Sequence, residues 1–337
     1  MTALEDLLYR PVVGRAVLGP IARWGYRRHV ATGETPQLAY RAMRKLFGNE
    51  DRAPFAALVA RAAADHPPVP VDAASGIAAG DVAAVVAELD RDGCSVLPRL
   101  LGPAACDELE AVARAATCTL VGRTGGTDRA VFDAAQPLAI RYDVAEADIL
   151  ASAAAQRLVA DPSLLAIAQA HLRAEPVQDL VAMWWSAAVD GGDTSAAAQR
   201  YHFDLDRLRF LKVFVFLTDV DDETGPHVYV RGSHRDQPAA LRRDHRHTDA
   251  AVAAAHPGAE RRITGPRGTV FLADTIGLHK GLELRRGHRL VFQTEYATSL
   301  FGGPYDQVAI PEPSPEMRAA VARHPRTFGR FRVSPGP

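Results

Sequence analysis

Apolar residues recur at helical spacing early in the chain and crowd into short, strand-like runs in its second half. Leu38, Tyr40, Met43, Leu46 and Phe47, then Phe55, Leu58, Val59 and Ala62, predict two amphipathic helices between about 37 and 64. Asp65-His-Pro-Pro-Val-Pro-Val-Asp72 breaks that pattern and reads as a linker. A helix from Ala79 to Arg91, a short strand at Ser95-Val-Leu-Pro98 and a helix opened by Gly102-Pro103 and running to about Cys118 follow, proline in a first turn being a start signal. Residues 146 to 174 read as further helix, restarted at Asp161-Pro162-Ser163. Strand-like runs then occupy 177–186, 209–218, 227–231, 269–273 and 289–296, separated by glycine and proline turns, as in a sandwich or barrel. The polar stretch between 235 and 265 reads as a lid or binding loop inserted among them.

Composition narrows the class. The 337 residues suffice for a large core, and one barrel domain with helical additions suits the pattern as well as two domains. A formal net charge of −1 gives no global field for nucleic acid or an anionic membrane, so a small-molecule partner is expected. Residues 7 to 22 are fairly apolar, but Arg10, Arg15 and Arg23 interrupt them and Pro11 and Pro20 are expected to break any long helix, which argues against a signal peptide or membrane span. The three cysteines, Cys94, Cys106 and Cys118, are odd in number and lack metal-site spacing; reduced thiols in a cytoplasmic protein are expected.

The candidate chemistry sits in the strand-rich half. His202-Phe203-Asp204 places an imidazole and a carboxylate at i and i+2, positions that share one face of a strand. The apolar run Gly268 to Leu278 ends in a lone His279. Two imidazoles and one carboxylate leave about half of an octahedral shell open, the arrangement used by non-haem iron oxygenases. Ten residues further, Arg289 opens the strand-like Arg-Leu-Val-Phe-Gln-Thr-Glu-Tyr296, where a buried guanidinium needs an anionic partner such as a bidentate carboxylate. Any one of these pieces is common by chance; their order makes the reading.

With those residues in place the chain resembles the phytanoyl-CoA dioxygenase family of Fe(II)- and 2-oxoglutarate-dependent oxygenases. The matching text is Asp92-Gly93-Cys-Ser-Val-Leu-Pro98, the His-x-Asp, Phe216-Leu-Thr-Asp-Val-Asp-Asp-Glu-Thr-Gly-Pro226, Val230-Arg-Gly-Ser-His234, Asp274-Thr-Ile-Gly-Leu-His-Lys-Gly281 and Arg289, spanning roughly 85 to 300. The resemblance implies an all-β core with helices, a double-stranded β-helix or cupin-like jelly roll flanked by a helical layer. It implies His202, Asp204 and His279 as iron ligands and Arg289 as the group gripping the distal carboxylate of 2-oxoglutarate. It also implies decarboxylation to succinate and CO2 coupled to O2-dependent oxidation of a substrate, with ascorbate supportive in vitro. Relatives in the wider superfamily that halogenate carry a small residue at the carboxylate position, so Asp204 implies a hydroxylase; desaturation, ring closure and epoxidation use the same ligands. The chain departs from the family at Glu223-Thr224-Gly225-Pro226, where an asparagine usually precedes the Gly-Pro.

Secondary candidates have two readings each. Lys212 interrupts an apolar strand and either meets an anionic substrate or 2-oxoglutarate or snorkels to the surface. Arg141 is either a second basic contact for 2-oxoglutarate or an ion-pair partner of Asp143 or Glu146. Thr275 donates a hydrogen bond near the metal or merely packs. Trp184 and Trp185 alternate faces, so one faces the cavity. Asp206 rivals Asp204 but suits a salt-bridged turn beside Arg207 and Arg209; His234 suits a structural turn, and His245, His247 and His256 a solvated stretch. The expected organisation is a helical extension and linker over 1–75, the oxygenase domain over 76–305 with a lid-like insertion at about 235–265, and a tail over 306–337. A non-catalytic cupin-like metal-binding sensor or scaffold is the alternative, for which Arg289 has no use; a Zn(II) hydrolase or isomerase lacks an evident general acid or base apart from Asp206.

Overall fold

The computed structural model describes residues 6–123, 128–189 and 199–334. Thirteen strands are numbered β1 (Cys94–Val96), β2 (Thr117–Arg123), β3 (Arg129–Val131), β4 (Ala139–Asp143), β5 (Val177–Ala187), β6 (Phe210–Phe216), β7 (His227–Val230), β8 (Glu260–Ile263), β9 (Val270–Ala273), β10 (His279–Gly281), β11 (His288–Ala297), β12 (Val308–Ile310) and β13 (Phe331–Val333). An antiparallel sheet runs in the order β1-β9-β6-β11-β5-β4-β2-β3, and a smaller one in the order β10-β7-β8. Phe214, Phe216, Phe271 and Val291 of the large sheet pack with Tyr229 and Ile263 of the small one, closing a double-stranded β-helix.

Period-two alternation decides what each central strand presents. On β5, β6 and β11, Met183, Trp185, Leu211, Val213, Val215, Leu290, Phe292 and Tyr296 join a core built with the helices. The intervening Trp184, Ser186, Lys212, Phe214, Phe216, Arg289, Val291 and Gln293 line the interior of the roll. The helical layer includes Val82–Asp92, Pro103–Ala115, Ala153–Val159 and Pro162–Leu172, the last capped by Asp161, which accepts from Ser163 and Leu164 N–H.

The N-terminal helices Gly19–Thr32, Gln37–Gly48 and Ala53–Ala64 pack behind the extended segment that carries the His-x-Asp, which joins the fold through isolated bridges and belongs to no strand. Tyr26, Met43, Leu46, Phe47 and Phe55 share a core with Tyr201, Phe203, Leu205, Phe210 and Leu278, and the Phe47 and Phe203 rings lie 5.0 Å apart. The stretch 235–265 folds against the same helices: Leu241 and Val252 enter that core, and Asp244 pairs with Arg44.

Several expectations need correction. Pro20 does not break the N-terminal helix, because Pro11–Val13, a π turn at Gly14–Leu18 and Gly19–Thr32 follow one another without interruption; Pro20 sits in the first turn after the wider π turn, where its missing N–H is tolerated. No helix is long and apolar enough to cross a membrane among the described residues. The helix expected to reach Cys118 ends at Ala115, since Thr117 starts β2. Strands β2, β3 and β4 escaped detection because polar and charged residues interrupt their apolar positions; of the three only β3 lies at the sheet edge. Strand β8, Glu-Arg-Arg-Ile, lies in the stretch expected to be a lid and carries the charges typical of an edge. The helix expected from Ala79 begins at Val82, after the turn at Gly80.

Candidate metal centre

His202 and His279 face each other across a direct backbone bridge: His202 N donates to His279 O at 3.0 Å, and His279 N donates to His202 O at 2.8 Å. Asp204 is fixed two residues on by donating its N–H to Thr275 O at 2.8 Å. The ligand-type atoms of His202, Asp204 and His279 all lie within 4.8 Å of one another, and no other such group occurs among the described residues. The segment bearing His279 is held by the other sequence motifs. Tyr229 Oη donates to Asp274 O at 2.8 Å, Leu278 N donates to Ser233 Oγ at 2.8 Å, and Asp274 N donates to Gly93 O at 2.8 Å. Thr224 does its turn work by donating N–H to Asp221 Oδ1 and accepting from Asp221 N–H, each at 2.9 Å.

The donor set fits a divalent transition metal. His202 Nδ1 lies 2.9 Å from Arg200 O and His279 Nδ1 lies 3.0 Å from Gly277 O. A carbonyl only accepts, so each Nδ1 carries the proton and each Nε2 keeps its lone pair. Burial lowers His202 to about 3 and also depresses His279, so both are neutral at pH 7. Burial disfavours the Asp204 carboxylate, but Lys212, His279 and His202 together outweigh it and hold Asp204 below the usual carboxylate range.

Lys212 is buried, its Nζ 2.7 Å from Asp204 Oδ2 and 3.5 Å from Glu295 Oε2, its cross-strand partner on β11. Burial opposes its charge, yet Asp204 and Glu295 push its pKa up. It therefore does not snorkel. Removing one member of a buried ion pair typically costs about 3–5 kcal/mol. Lys212→Met is expected to destabilise the metal-free protein on that scale, read as a fall in urea midpoint, with saturating Mn(II) recovering part of the loss by resupplying Asp204 with a cation. An unchanged midpoint would show the ammonium to be idle.

The three ligand-type residues open onto a cavity of about 170 Å³, which Lys212, Phe214, Phe216, Gln293 and Arg289 also line. Arg289 is 7% exposed, with no carboxylate in ion-pair range among the described residues; its Nη2 reaches Ser186 Oγ at 3.4 Å, and its Nε has no partner. Burial, then the nearby Arg141, lowers its pKa to about 10. The cavity thus ends in an unmatched cation.

The secondary candidates separate clearly. Arg141 lines the cavity but also pairs with Asp143 at 2.6 Å, its guanidinium 4.5 Å from the centre of the Trp184 ring. Trp184 faces the cavity, while Trp185 is buried on the other side, stacked on Phe132 at 4.5 Å and donating Nε1–H to Ala113 O at 3.1 Å. Thr275 is buried away from the cavity lining, and its carbonyl rather than its hydroxyl serves Asp204. Asp206 stands outside the converging group; neighbouring Arg207 makes a two-pronged pair with Asp179. His234 does not line this cavity. Sequence reasoning missed His227, which lines it, and Glu295, which anchors Lys212. A histidine opening an apolar strand directly after a Gly-Pro turn, and a carboxylate inside a strand buried along nearly its whole length, were the available signals.

The sequence profile of the phytanoyl-CoA dioxygenase (PhyH) family matches residues 89–285. Among solved structures, the chain is similar to the non-heme alpha ketoglutarate dependent epimerase SnoN from nogalamycin biosynthesis (20% identity, TM-score 0.47, covering 64% of this chain and 82% of that one). It is also similar to EctD from S. alaskensis with bound Fe (20%, 0.46, covering 69% and 80%). HygX from Streptomyces hygroscopicus, with nickel and 2-oxoglutarate bound, is a third (16%, 0.45, covering 70% and 93%). No curated protein sequence matches significantly.

Proposed function

This chain belongs to the phytanoyl-CoA dioxygenase family and is an Fe(II)- and 2-oxoglutarate-dependent oxygenase, and from that premise we propose that it hydroxylates a small organic substrate held in the 170 Å³ cavity. In this reading His202 and His279 hold the iron through Nε2 and Asp204 through its carboxylate, and Arg289 grips the far carboxylate of 2-oxoglutarate. The observation that carries it is the pairing of an open three-residue donor set with a buried, unmatched guanidinium in one cavity. A sensor or scaffold has no need of that cation. A Zn(II) hydrolase would need an acid or base beside the metal, and Asp206 lies outside the converging group.

Iron, when bound with 2-oxoglutarate and O2, supplies the oxidising chemistry. The chain supplies position. Backbone bonds between His202 and His279 fix both imidazoles before any metal arrives, and Gly277 O and Arg200 O keep their protons on Nδ1. Arg289 orients the co-substrate through charge-assisted bonds, and Phe214, Phe216, Phe271 and Val291 make a wall that limits water. Trp184 and Gln199, at the same cavity, are placed to meet the substrate. The absence of a carboxylate other than Asp204 in the described lining favours a neutral or anionic molecule over a cationic one. A cytoplasmic setting suits the three buried, unpaired cysteines.

The test is release of succinate from 2-oxoglutarate by the Fe(II)-loaded protein, screened for stimulation by candidate metabolites, with the product's mass rising by one oxygen atom. Failure to form succinate with any metal-loaded preparation would remove the reading.

A further inference from the structure

Arg289 is not the one buried polar group in the cavity that lacks a protein partner. His227 lines the same cavity, and its Nε2 has no hydrogen-bond partner among the described residues. Leaving a buried polar atom unsatisfied costs about 1–3 kcal/mol, so such an atom in a native cavity calls for a ligand. The ring cannot easily turn away. It packs against both Phe214 and Phe271, at 5.3 and 5.2 Å, and stacks on the His279 ring at 5.5 Å and 18°.

The strand register adds a second observation. His227 stands directly across β7 and β10 from Gly281. A Cβ at Gly281 would sit 3.7 Å from Arg289 Nη2. Glycine at this position leaves open the space beside Arg289 Nη2 at the strand position opposite His227, space that a longer side chain would occupy. His227 is not a fourth metal ligand in this geometry, because the converging donor group comprises His202, Asp204 and His279 only, among the described residues.

We propose that His227 is a further co-substrate contact, donating from Nε2 to the same carboxylate of 2-oxoglutarate that Arg289 grips, in the opening left by Gly281. This rests on the reading of the cavity as a 2-oxoglutarate site. An imidazole offers a directed N–H, so its contribution to the carboxylate is a hydrogen bond of fixed direction beside the Arg289 fork.

The experiment titrates 2-oxoglutarate anaerobically into Mn(II)-loaded protein, reading tryptophan fluorescence, to which Trp184 at the cavity reports. His227→Phe is expected to weaken 2-oxoglutarate binding about tenfold while Mn(II) affinity stays unchanged. His227→Gln, which keeps an N–H donor, should recover most of that loss and shows that the fold tolerates the change. A Phe variant binding 2-oxoglutarate within about twofold of the native protein overturns the proposal, as does loss of Mn(II) binding, which would make His227 a metal ligand. Arg289→Ala separates the two levels. If it leaves 2-oxoglutarate affinity unchanged, the co-substrate reading falls and this one with it; if Arg289→Ala weakens binding and His227→Phe does not, only the His227 assignment is lost.

Discussion

His279→Ala is expected to abolish succinate formation and metal binding while leaving the protein folded. On the proposed assignment His202 and Asp204 alone would hold a ferrous ion weakly, and among the described residues His279 is the only further donor that converges on them. The separation of chemistry from folding has a structural reason: the bonds joining the two histidine segments are backbone bonds, which alanine retains. Turnover should fall below detection at any 2-oxoglutarate concentration, Mn(II) titration should show no saturable site, and the urea midpoint should stay near that of the native protein. Undiminished turnover would remove His279 from the centre.

Arg289→Ala should act differently, on affinity for 2-oxoglutarate rather than for metal. A charge-assisted, two-pronged bond to a carboxylate is worth roughly 1.5–3 kcal/mol, so the 2-oxoglutarate requirement is expected to rise about 10- to 100-fold. Arg289→Lys should recover little, because an ammonium offers a point charge in place of a planar fork. The unliganded variant should also be no less stable than the native protein, since the substitution removes a buried cation that no carboxylate neutralises among the described residues. Weaker co-substrate binding without loss of folding stability marks a residue kept for a ligand. An affinity within about twofold of native would assign Arg289 another task.

The convergence of His202, Asp204 and His279 was legible because much of it depends on local rules. His202 and Asp204 lie two apart on an extended segment, and that spacing is enough to point both inward; the apolar strand before His279 stops at Ala273, and a turn intervenes before His279 opens β10. Arg289 was legible from its place in a run whose neighbours are all core residues. The partners of these groups were not, because they are long-range register facts. Nothing near Lys212 in the sequence says that Glu295 stands opposite it, nor near His227 that Gly281 does. Edge strands β3 and β8 were missed for a related reason: one side of an edge strand is unpaired, so its apolar alternation is diluted by charge; β2 and β4, paired on both sides, were missed because polar and charged residues interrupt their apolar positions.

The placement of Phe203 between the two ligand-type residues of its own tripeptide bears on where the unit of folding ends. His202 and Asp204 look into the roll while Phe203 points out of its back, onto Phe47 and the N-terminal helices. A polypeptide trimmed to the 89–285 region recognised by the family profile would leave that aromatic face wet and the ligand-bearing segment without its backstop. A chain begun at the family signature is therefore expected to fold less stably than one that keeps the helices ahead of it, since those helices pack directly behind the His202–Asp204 segment.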